Sequence, residues 1–350
     1  MISSEYNEDQ IAKFPATRYM GSKRKLLSQI WDIVSRYDVD TVQDLFAGSN
    51  VVSYMLKSQG KRVISNDYMY FSASTAKALI ENRHTLLSGD QVESLICKKF
   101  PNDGFVESVF DGLYFSAEDN KFIDSVRAGI ELELDDDYQK SIAMSALVRA
   151  CMKKRPRGIF TYTGMRYDDG RRDLKLTLKE HFVEAVSSIN AAVFDGGSAC
   201  VSMREDAMNV PPVRDSLVYI DPPYYSKRSD NDYIRRYHFV EGLARGWEGV
   251  EIQEHTKTKK FKTYHTPFSS RDGAKSAFDQ LFHNHRDSVL VVSYSSNSLP
   301  TAEEMVDLMR SYKSNVDVVP IRYRYSFGNQ GFRVSDNRNS ALEYLFIGSD

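Results

Sequence analysis

The chain alternates between short apolar runs, which are typical of buried strands, and longer stretches whose apolar residues recur at helical spacing. The first informative stretch, residues 41–67, reads TVQDLFAGSNVVSYMLKSQGKRVISND. It predicts a strand over TVQDLF, a tight turn at AGSN, a helix that ends at Gly60, and a second strand over KRVIS. A strand–turn–helix–strand unit of this kind implies a parallel sheet with a right-handed crossover.

Strand patterns return after residue 196, beyond a long region of helical spacing. The runs SACVSM, SLVYI and SVLVVSYSS predict further strands, and VDVVPIRYRYSF and SALEYLFIG predict an antiparallel pair at the sheet edge. We therefore predict one α/β domain formed by residues 1–80 and 196–350, which a mostly helical insertion over residues 81–195 interrupts.

Composition narrows the class of protein. The 350 residues are 41% hydrophobic and 27% charged, as expected of a folded globular chain. The first ten residues, MISSEYNEDQ, are polar, so we expect no secretory signal, and no apolar run reaches the roughly 18 residues that a membrane span needs. The three cysteines lie far apart without CxxC spacing, and the seven histidines show no metal spacing. We expect a cytoplasmic protein with no membrane partner, no disulfide framework and no metal.

Basic residues are concentrated in two stretches, although the net charge is only −2. Residues 149–181 carry ten Lys/Arg against four Asp/Glu, and residues 255–275, which we predict to be a loop, carry six against one. A nucleic-acid-binding protein of this net charge must gather its basic residues on one face. The candidates for contacts with phosphates or bases are Arg155, Arg157, Arg166, Arg171, Arg172, Lys259 and Lys260.

The turn DLFAGSN has features of a nucleoside-binding site. Gly48 permits a tight turn and close approach of a ligand to the backbone. Asp67 follows 19 residues later at the end of the second strand, where a carboxylate can accept bonds from both hydroxyls of a ribose. The full G-x-G-x-x-G and G-x-x-x-x-G-K-[ST] patterns are absent, which favours a ribose cofactor without pyrophosphate, such as S-adenosylmethionine. Taken alone, the motif equally allows a structural turn and a surface acid.

The segment RYMGSKRKLL, residues 18–27, precedes this turn. Gly21 and Ser22 predict a flexible turn before an amphipathic helix. Lys23 offers a cation for a carboxylate, such as that of the cofactor's methionine end. A solvated, basic helix start explains the same residues equally well.

The sequence DPPYY, residues 221–225, directly follows the strand SLVYI. Two prolines cannot continue a sheet, and they hold the loop rigid at the carboxyl edge of a parallel sheet, where open α/β folds bind ligands. Asp221 beside a backbone carbonyl can accept both hydrogens of a planar NH₂ group. Tyr224 offers a flat face on which a base can stack. This combination favours a site for a planar NH₂ group over a purely structural turn that begins with an acid.

Together these motifs resemble the Dam-like DNA adenine-N6 methyltransferases, in which the cofactor motif precedes the catalytic motif. The catalytic D-P-P-[YFW] is matched by Asp221, Pro222, Pro223 and Tyr224; F-x-G-x-G is matched from Phe46, with Asn50 replacing the final glycine; and aromatic-x-G-[GS]-K is matched from Tyr19 to Lys23. Asp67 matches the ribose acid and Asp206 an acid that contacts the cofactor adenine. The cofactor-binding residues we assign are Tyr19, Gly21, Ser22, Lys23, Asp44, Phe46, Gly48, Ser49, Asn50, Asp67, Asp206 and Asp221.

The resemblance implies a Rossmann-like S-adenosylmethionine-dependent methyltransferase sheet, with the insertion as the target-recognition domain. It implies transfer of a methyl group to the N6 amine of an adenine flipped out of double-stranded DNA, with Asp221 holding the amine. An associated restriction nuclease is a candidate partner.

Two alternatives stay open at this point. The enzyme could act on RNA or on a protein amide, because similar proline loops handle several planar NH₂ groups. The chain could also be a catalytically silent DNA-binding subunit, although intact Asp221 and Lys23 argue against silence.

Overall fold

The computed structural model describes residues 6–164, 170–225, 232–322 and 342–350. The α-helices within these ranges are α1 (Glu8–Ala12), α2 (Leu27–Val34), α3 (Val51–Ser58), α4 (Tyr70–Ala76), α5 (Gly89–Cys97), α6 (Phe105–Val109), α7 (Ala117–Glu133), α8 (Asp137–Lys154), α9 (Arg172–Lys175), α10 (Leu178–Ala192), α11 (Tyr233–Arg245), α12 (Arg271–Asn284) and α13 (Ala302–Arg310). The strands are β1 (Thr41–Asp44), β2 (Arg62–Asn66), β3 (Val201–Met203), β4 (Leu217–Ile220), β5 (Val289–Ser295), β6 (Asn315–Arg322) and β7 (Leu342–Ser349).

The strands form a seven-stranded, mostly parallel sheet in a mixed α/β fold, with the order β3-β2-β1-β4-β5-β7-β6. The pairs β1–β4, β2–β3 and β4–β5 are parallel. The pairs β5–β7 and β6–β7 are antiparallel. The predicted antiparallel pair at the sheet edge is therefore confirmed.

Burial explains why the central strands read as unbroken apolar runs. All four residues of β4 are buried, and so are the last six residues of β5. A strand covered on both faces has no polar side, so its residues do not alternate. The chain leaves β4 at Asp221, and the prolines that follow mark the end of this buried run.

The helix starts follow capping chemistry. Asp136 accepts the backbone N–H groups of Tyr138 and Gln139 at 2.8 and 3.0 Å, which fixes the start of α8. The predicted loop over residues 255–275 needs a correction at its end. Ser270 accepts the N–H of Gly273 at 3.2 Å, so α12 begins inside the stretch that we predicted to be a loop.

The chain divides into two compact units. The first contains residues 1–28, 47–204 and 232–264, and the second contains residues 29–46, 205–231 and 265–350. Helices α5 to α10, which we predicted to be an inserted domain, belong to the first unit together with β2 and β3. They do not separate as a compact unit of their own, so the boundaries of the target-recognition domain stay a prediction.

Within the residues described, every helix is too short or too polar to cross a lipid bilayer.

Candidate active site

The glycine turn, residues Gly48, Ser49 and Asn50, is joined to the end of β2 by one carboxylate. The backbone N–H of Gly48 donates to Oδ2 of Asp67 at 2.7 Å, and the N–H of Met69 donates to Oδ1 at 2.8 Å. Gly48 has φ +51°, a left-handed conformation that glycine adopts without strain. Asp67 therefore holds the turn and the start of the next segment in one arrangement.

The electrostatics of Asp67 reflect this position. Burial raises the pKa of its carboxyl group, and the backbone hydrogen bonds from Met69 and Gly48 work in the opposite direction. A carboxylate offers about four lone-pair sites. Besides these two backbone donors, hydrogen bonds from the Ser72 side chain and the Tyr68 backbone also lower the pKa of Asp67, so the carboxylate is held from several sides.

Asn50 replaces the last glycine of the F-x-G-x-G pattern without disturbing the turn. Its φ is +63°, and asparagine is among the few residues other than glycine that enter this region readily. The side-chain Nδ2 donates to the backbone oxygen of Ser72 at 2.9 Å, and Oδ1 accepts the hydroxyl of Ser65 at 3.0 Å. The amide thus fixes the turn to β2 and α4.

The segment before Lys23 is held by the aromatic face of α11. The ring of Tyr19 stacks on Tyr237 at 5.2 Å with an interplanar angle of 2°. The N–H of Met20 donates to the Tyr237 hydroxyl at 2.9 Å, and the Tyr233 hydroxyl donates to the Met20 oxygen at 3.2 Å. Gly21, at φ +77°, lets the chain turn where any Cβ would lie 3.0 Å from that Tyr233 oxygen.

Ser22 and Lys23 complete this segment. The hydroxyls of Ser22 and Ser49 lie 3.3 Å apart, so the segment and the glycine turn are in direct contact. Lys23 is only 6% exposed, and its ammonium donates to the Gly21 oxygen at 3.3 Å. The structure thus brings together Tyr19, Gly21, Ser22, Gly48, Ser49, Asn50 and Asp67, and buries Lys23 beside them.

Glu241 is a residue at this site that the sequence motifs did not identify. Its Oε2 accepts the N–H of Phe71 at the start of α4 at 3.4 Å, and its Oε1 accepts the Tyr264 hydroxyl at 2.8 Å. Arg245 donates to the same hydroxyl at 2.7 Å. Burial raises the pKa of Glu241 to about 7. An acid within the apolar helix YHFVEGLA was the available sequence signal.

In the second unit, the proline corner, residues Asp221 to Tyr224, follows β4 as predicted. The Tyr224 hydroxyl lies 3.0 Å from Oδ1 of Asp221 and also contacts the Glu343 carboxylate. The Tyr224 ring meets Tyr294 edge-on at 4.9 Å. Asp221 and Tyr224 are half-buried, so the corner keeps an accessible side.

Glu343 supports the proline corner from β7. It is fully buried, and its Oε1 accepts the Ser293 hydroxyl of β5 at 2.8 Å in addition to the contact with Tyr224. No motif marks it. The only signal in the sequence was an acid inside the otherwise apolar strand SALEYLFIG, because a buried acid needs partners.

Three further predicted cofactor residues lie in the second unit. Asp44 ends β1, is 1% exposed, and pairs in register with Tyr219 of β4. Phe46 packs edge-on against Phe268 at 5.5 Å. Asp206 caps a short 3₁₀ turn by accepting the N–H of Met208 at 3.0 Å.

Arg155, one of the predicted DNA contacts, is an interior residue. It is 1% exposed, and its guanidinium donates to the backbone oxygens of Tyr114, Tyr162 and Gly164 at 3.2, 2.8 and 2.8 Å. Its placement argues against a contact with DNA. A buried arginine and a surface arginine look alike in a basic stretch, because only tertiary contacts tell them apart.

The other basic candidates lie closer to the surface. Arg172 is exposed and pairs with Glu184, and Lys259 pairs with Glu254. Arg157, at φ +62°, is half-buried, as are Arg171 and Lys260. Arg166 lies outside the described residues. These five assignments and that of Arg166 stay predictions.

Comparison with protein families decides the class of the enzyme. The family described as D12 class N6 adenine-specific DNA methyltransferase matches residues 19–304 of the chain. The chain belongs to this family. It is an adenine-specific DNA methyltransferase, and the matched range contains both the glycine turn and the proline corner.

Individual proteins that are similar to this methyltransferase are themselves named as methyltransferases or methylases. It is similar to the Type II methyltransferase M2.HphI of Haemophilus parahaemolyticus, with 26% identity over 96% of this chain and 98% of the relative. It is 27% identical to modification methylase StsI of Streptococcus sanguinis over 94% of this chain, which spans only 51% of that relative. It is 22% identical to the Type II methyltransferase M.NlaIII of Neisseria lactamica over 94% of this chain and 98% of the relative.

Membership in the D12 class implies S-adenosylmethionine as methyl donor, and the residues of the first unit fit such a molecule. Asp67 follows β2 and accepts the N–H of Gly48, at the strand end where a ribose acid is expected. Beside it, Tyr19, Gly48 and Ser49 border a cleft. A glycine at the border lets a ligand approach the backbone closely.

Proposed function

We propose that this methyltransferase transfers the methyl group of S-adenosylmethionine to the N6 amine of an adenine that has left the stack of duplex DNA. The observation that carries the proposal is the proline corner: a half-buried carboxylate, Asp221, follows a buried strand and lies beside an aromatic residue at a rigid turn. Extrusion of the base is required because its amine lies inside the duplex, and it costs a few kcal/mol.

In this proposal the corner holds and orients the amine. The Asp221 carboxylate and the neighbouring backbone oxygen of Pro222 accept its two hydrogens, which increases electron density on the nitrogen. Stacking on Tyr224 offsets part of the cost of extrusion, by about 1–3 kcal/mol. Pro223 keeps the turn rigid. Asp221 need not be a strong base, since the nitrogen loses its proton more readily as its new bond to carbon forms.

When bound, S-adenosylmethionine supplies a methyl group on a positively charged sulfur. The residues of this chain position the donor and exclude water from it. Asp67 accepts the ribose hydroxyls, Asp206 contacts the adenine ring of the donor, and Tyr19, Gly21, Ser22, Gly48, Ser49 and Asn50 shape the cleft around it. Lys23, Asp44 and Phe46 are further cofactor-binding residues in this proposal. Much of the rate acceleration comes from this positioning.

The proposed partners follow from the substrate. Arg157, Arg166, Arg171, Arg172, Lys259 and Lys260 contact DNA phosphates or bases, and the helical segment 81–195 reads the target sequence. The relatives named Type II methyltransferases support a role in a type II restriction–modification system with an associated nuclease. Three free cysteines among the described residues support a reducing, cytoplasmic location.

Transfer of labelled methyl groups tests the function. The purified protein is incubated with radiolabelled S-adenosylmethionine and with duplex DNA, RNA or protein as acceptor, and the labelled nucleoside is identified by mass spectrometry. N6-methyladenine in duplex DNA alone is the expected result. Label in RNA or protein would show that DNA is not the acceptor. Slower migration of DNA in a gel, without any transfer of label, would indicate a silent DNA-binding subunit.

A further inference from the structure

The two basic stretches of the chain meet at one buried hydroxyl, that of Tyr114, which is 4% exposed. This hydroxyl lies 3.2 Å from the backbone oxygen of Phe160, which belongs to the stretch 149–181. The same hydroxyl lies 2.7 Å from the backbone oxygen of Thr258, which belongs to the stretch 255–275. All three residues are part of the first unit. Two basic stretches that are distant in the sequence are therefore neighbours in the folded chain.

His238 of helix α11 determines the direction of these hydrogen bonds. Its imidazole is fully buried, and burial lowers its pKa to about 4, so the ring is neutral and carries one N–H. Nε2 lies 3.2 Å from the Phe160 oxygen and 3.1 Å from the Tyr114 hydroxyl. Because a carbonyl oxygen can only accept, the hydrogen is on Nε2 and points toward Phe160. The Tyr114 hydroxyl therefore donates its single hydrogen to the Thr258 oxygen.

The hydroxyl is the part of Tyr114 that packing alone does not explain. The ring contacts four phenylalanines at centroid distances of 5.1 to 6.4 Å: Phe110, Phe115, Phe160 and Phe239. A phenylalanine would suit such a cluster, because burying a hydroxyl is unfavourable unless it is hydrogen-bonded. The bond to Thr258 is therefore the feature that distinguishes a tyrosine from a phenylalanine at this position.

Thr258 lies in a hairpin, residues 252–262, which we call the basic hairpin. Ile252 and Phe261 form an antiparallel bridge that closes it. Phe261 is fully buried, and its ring meets that of His238 edge-on at 6.4 Å. The hairpin is thus attached to the interior of the first unit at two points, the ring of Phe261 and the backbone oxygen of Thr258.

The basic hairpin carries positive charge at the surface. Residues 255–262 contain four lysines and no acid. Lys257 and Lys262 are exposed, and Lys260 is half-buried. Ammonium groups at the surface suit DNA phosphates, whose neutralisation releases counterions. The position of these lysines depends on the anchors of the hairpin, because a surface loop without anchors would spread its charges over many positions.

Duplex DNA is the partner that this arrangement fits, because the chain belongs to a family of DNA methyltransferases and a DNA-binding protein gathers its basic residues on one face. We infer that Tyr114 is a positioning residue for DNA binding: its hydroxyl holds the basic hairpin beside the stretch 149–181, so that one duplex contacts both. The DNA-binding surface then extends beyond the predicted target-recognition segment, residues 81–195. This inference rests on duplex DNA as the substrate in the proposed function.

Binding of a fluorescent mixed-sequence DNA duplex, measured by anisotropy at several salt concentrations with S-adenosylhomocysteine present, tests the inference. Tyr114→Phe keeps the packed ring and removes only the hydroxyl. We expect it to weaken DNA binding about 3- to 10-fold and to reduce the salt slope by about 1 or 2, because the hairpin lysines are no longer held against phosphates. Hydrogen exchange should become faster in peptides from the hairpin, and calorimetric binding of S-adenosylhomocysteine should stay within about twofold of wild type.

A second variant, the hairpin variant, removes positive charge by exchanging three residues for glutamine: Lys257, Lys260 and Lys262. It should weaken DNA binding about 10- to 100-fold. Adding Tyr114→Phe to it should cause less than about a twofold further loss, because the charges that Tyr114 positions are already gone. Tyr138→Phe is the matched control, since this tyrosine belongs to the same unit and its hydroxyl contacts Glu81 at 3.2 Å. It should bind DNA as the wild type does.

Three results would overturn the inference while the proposed substrate stands. Tyr114→Phe could cause the same loss in the hairpin variant as in the wild type, which would mean that Tyr114 does not act through the hairpin. It could weaken S-adenosylhomocysteine as much as DNA, which would show a general structural role. Either variant could bind DNA like the wild type, and for the hairpin variant this result counts even where Tyr114→Phe does not fold. A wild-type protein that binds S-adenosylhomocysteine but no duplex DNA would overturn the proposed substrate and the inference with it.

Discussion

Two acids follow buried strands of this methyltransferase, and the protein holds them in different ways. Asp67, in the first unit, receives backbone N–H groups on both carboxylate oxygens, at 2.7 and 2.8 Å. Asp221, in the second unit, is contacted at 3.0 Å by the hydroxyl of Tyr224, a side chain that it shares with Glu343. The first acid accepts hydrogen bonds from backbone N–H groups, and the second is contacted by the hydroxyl of a neighbouring side chain.

This difference predicts which mutations change the stability of the protein and which change the rate of methyl transfer. A carboxylate that satisfies two partly buried backbone donors cannot be removed without leaving those donors without this acceptor. A carboxylate that meets a tyrosine hydroxyl at a rigid turn can be removed with little effect on the fold, because the prolines set the turn. The glycine turn should therefore respond to mutation through folding and ligand affinity, and the proline corner through the rate of methyl transfer.

The largest effect is expected for Asp221→Ala. Loss of the amine acceptor should lower the rate of methyl transfer at least about 10²–10³-fold, as loss of one preorganised electrostatic group does in other enzymes. The thermal midpoint should stay within about 2 °C of wild type, because the prolines set the turn and the Tyr224 hydroxyl keeps its contact with Glu343. Asp307→Asn, an exposed acid in the same unit, is the control. A variant that transfers methyl groups at nearly the wild-type rate would remove Asp221 from the mechanism.

Asp67→Ala should show the opposite balance. Two backbone donors lose their acceptor, so urea unfolding should report a loss of about 2–4 kcal/mol in the free energy of unfolding. Asp67→Asn, which keeps one acceptor oxygen, should recover part of it. If Asp67→Ala unfolds like wild type and only its ligand binding changes, the hydrogen bonds of Asp67 do not contribute to stability. The proposed difference between the two acids would then be wrong.

Glu241, which lies near the glycine turn, should make the stability of the protein depend on pH. Burial raises the pKa of Glu241 from 4.5 to about 7, so the folded state binds this proton more tightly than the unfolded state. Its contribution therefore falls as pH rises from about 4.5 to 7 and is level above that range. Asp67, Tyr264 and Arg245 face the same carboxyl group or its partner, so the difference between variants is the useful quantity.

Relative to wild type, Glu241→Gln should gain roughly 3 kcal/mol in the free energy of unfolding between pH 4.5 and pH 8, because glutamine does not titrate. Urea unfolding of both proteins at several pH values measures this gain. Parallel pH profiles would mean that the pKa of Glu241 is the same in the folded and the unfolded protein.

The smallest effect concerns DNA affinity rather than folding or rate. Changing Arg171 and Arg172 together to glutamine should weaken DNA binding about tenfold and reduce the salt slope by about 1 for each phosphate that is no longer neutralised. Lys121 and Lys140, exchanged together for glutamine, remove the same charge elsewhere in the first unit and should leave the slope unchanged. A slope that does not change in the arginine variant would place the DNA interface on other residues.

The sequence predicted the elements whose signals are local. The strand–turn–helix–strand pattern over residues 41–67, the buried strand before Asp221 and the antiparallel pair of β6 and β7 are confirmed, because each depends on periodicity and turn residues within a short window. The glycine turn and proline corner could be recognised for the same reason.

The residues that the sequence did not place correctly are determined by distant contacts. Arg155 reads as one of ten basic residues, and only its contacts with the Tyr114, Tyr162 and Gly164 carbonyls make it an interior residue. Glu343 joins Tyr224 from a strand 119 residues away. Periodicity contains no information about such pairings, so the supporting residues of a site become visible only when the chain is folded.

Asn50 has a consequence for how such enzymes are found. The last position of the turn requires a positive backbone φ. Asn50 adopts this φ, and its side chain forms hydrogen bonds with Ser65 and Ser72. A strict F-x-G-x-G pattern would miss this chain, although the family as a whole matches residues 19–304. A pattern that also allows asparagine at this position would include it, because asparagine reaches the same left-handed torsion angle.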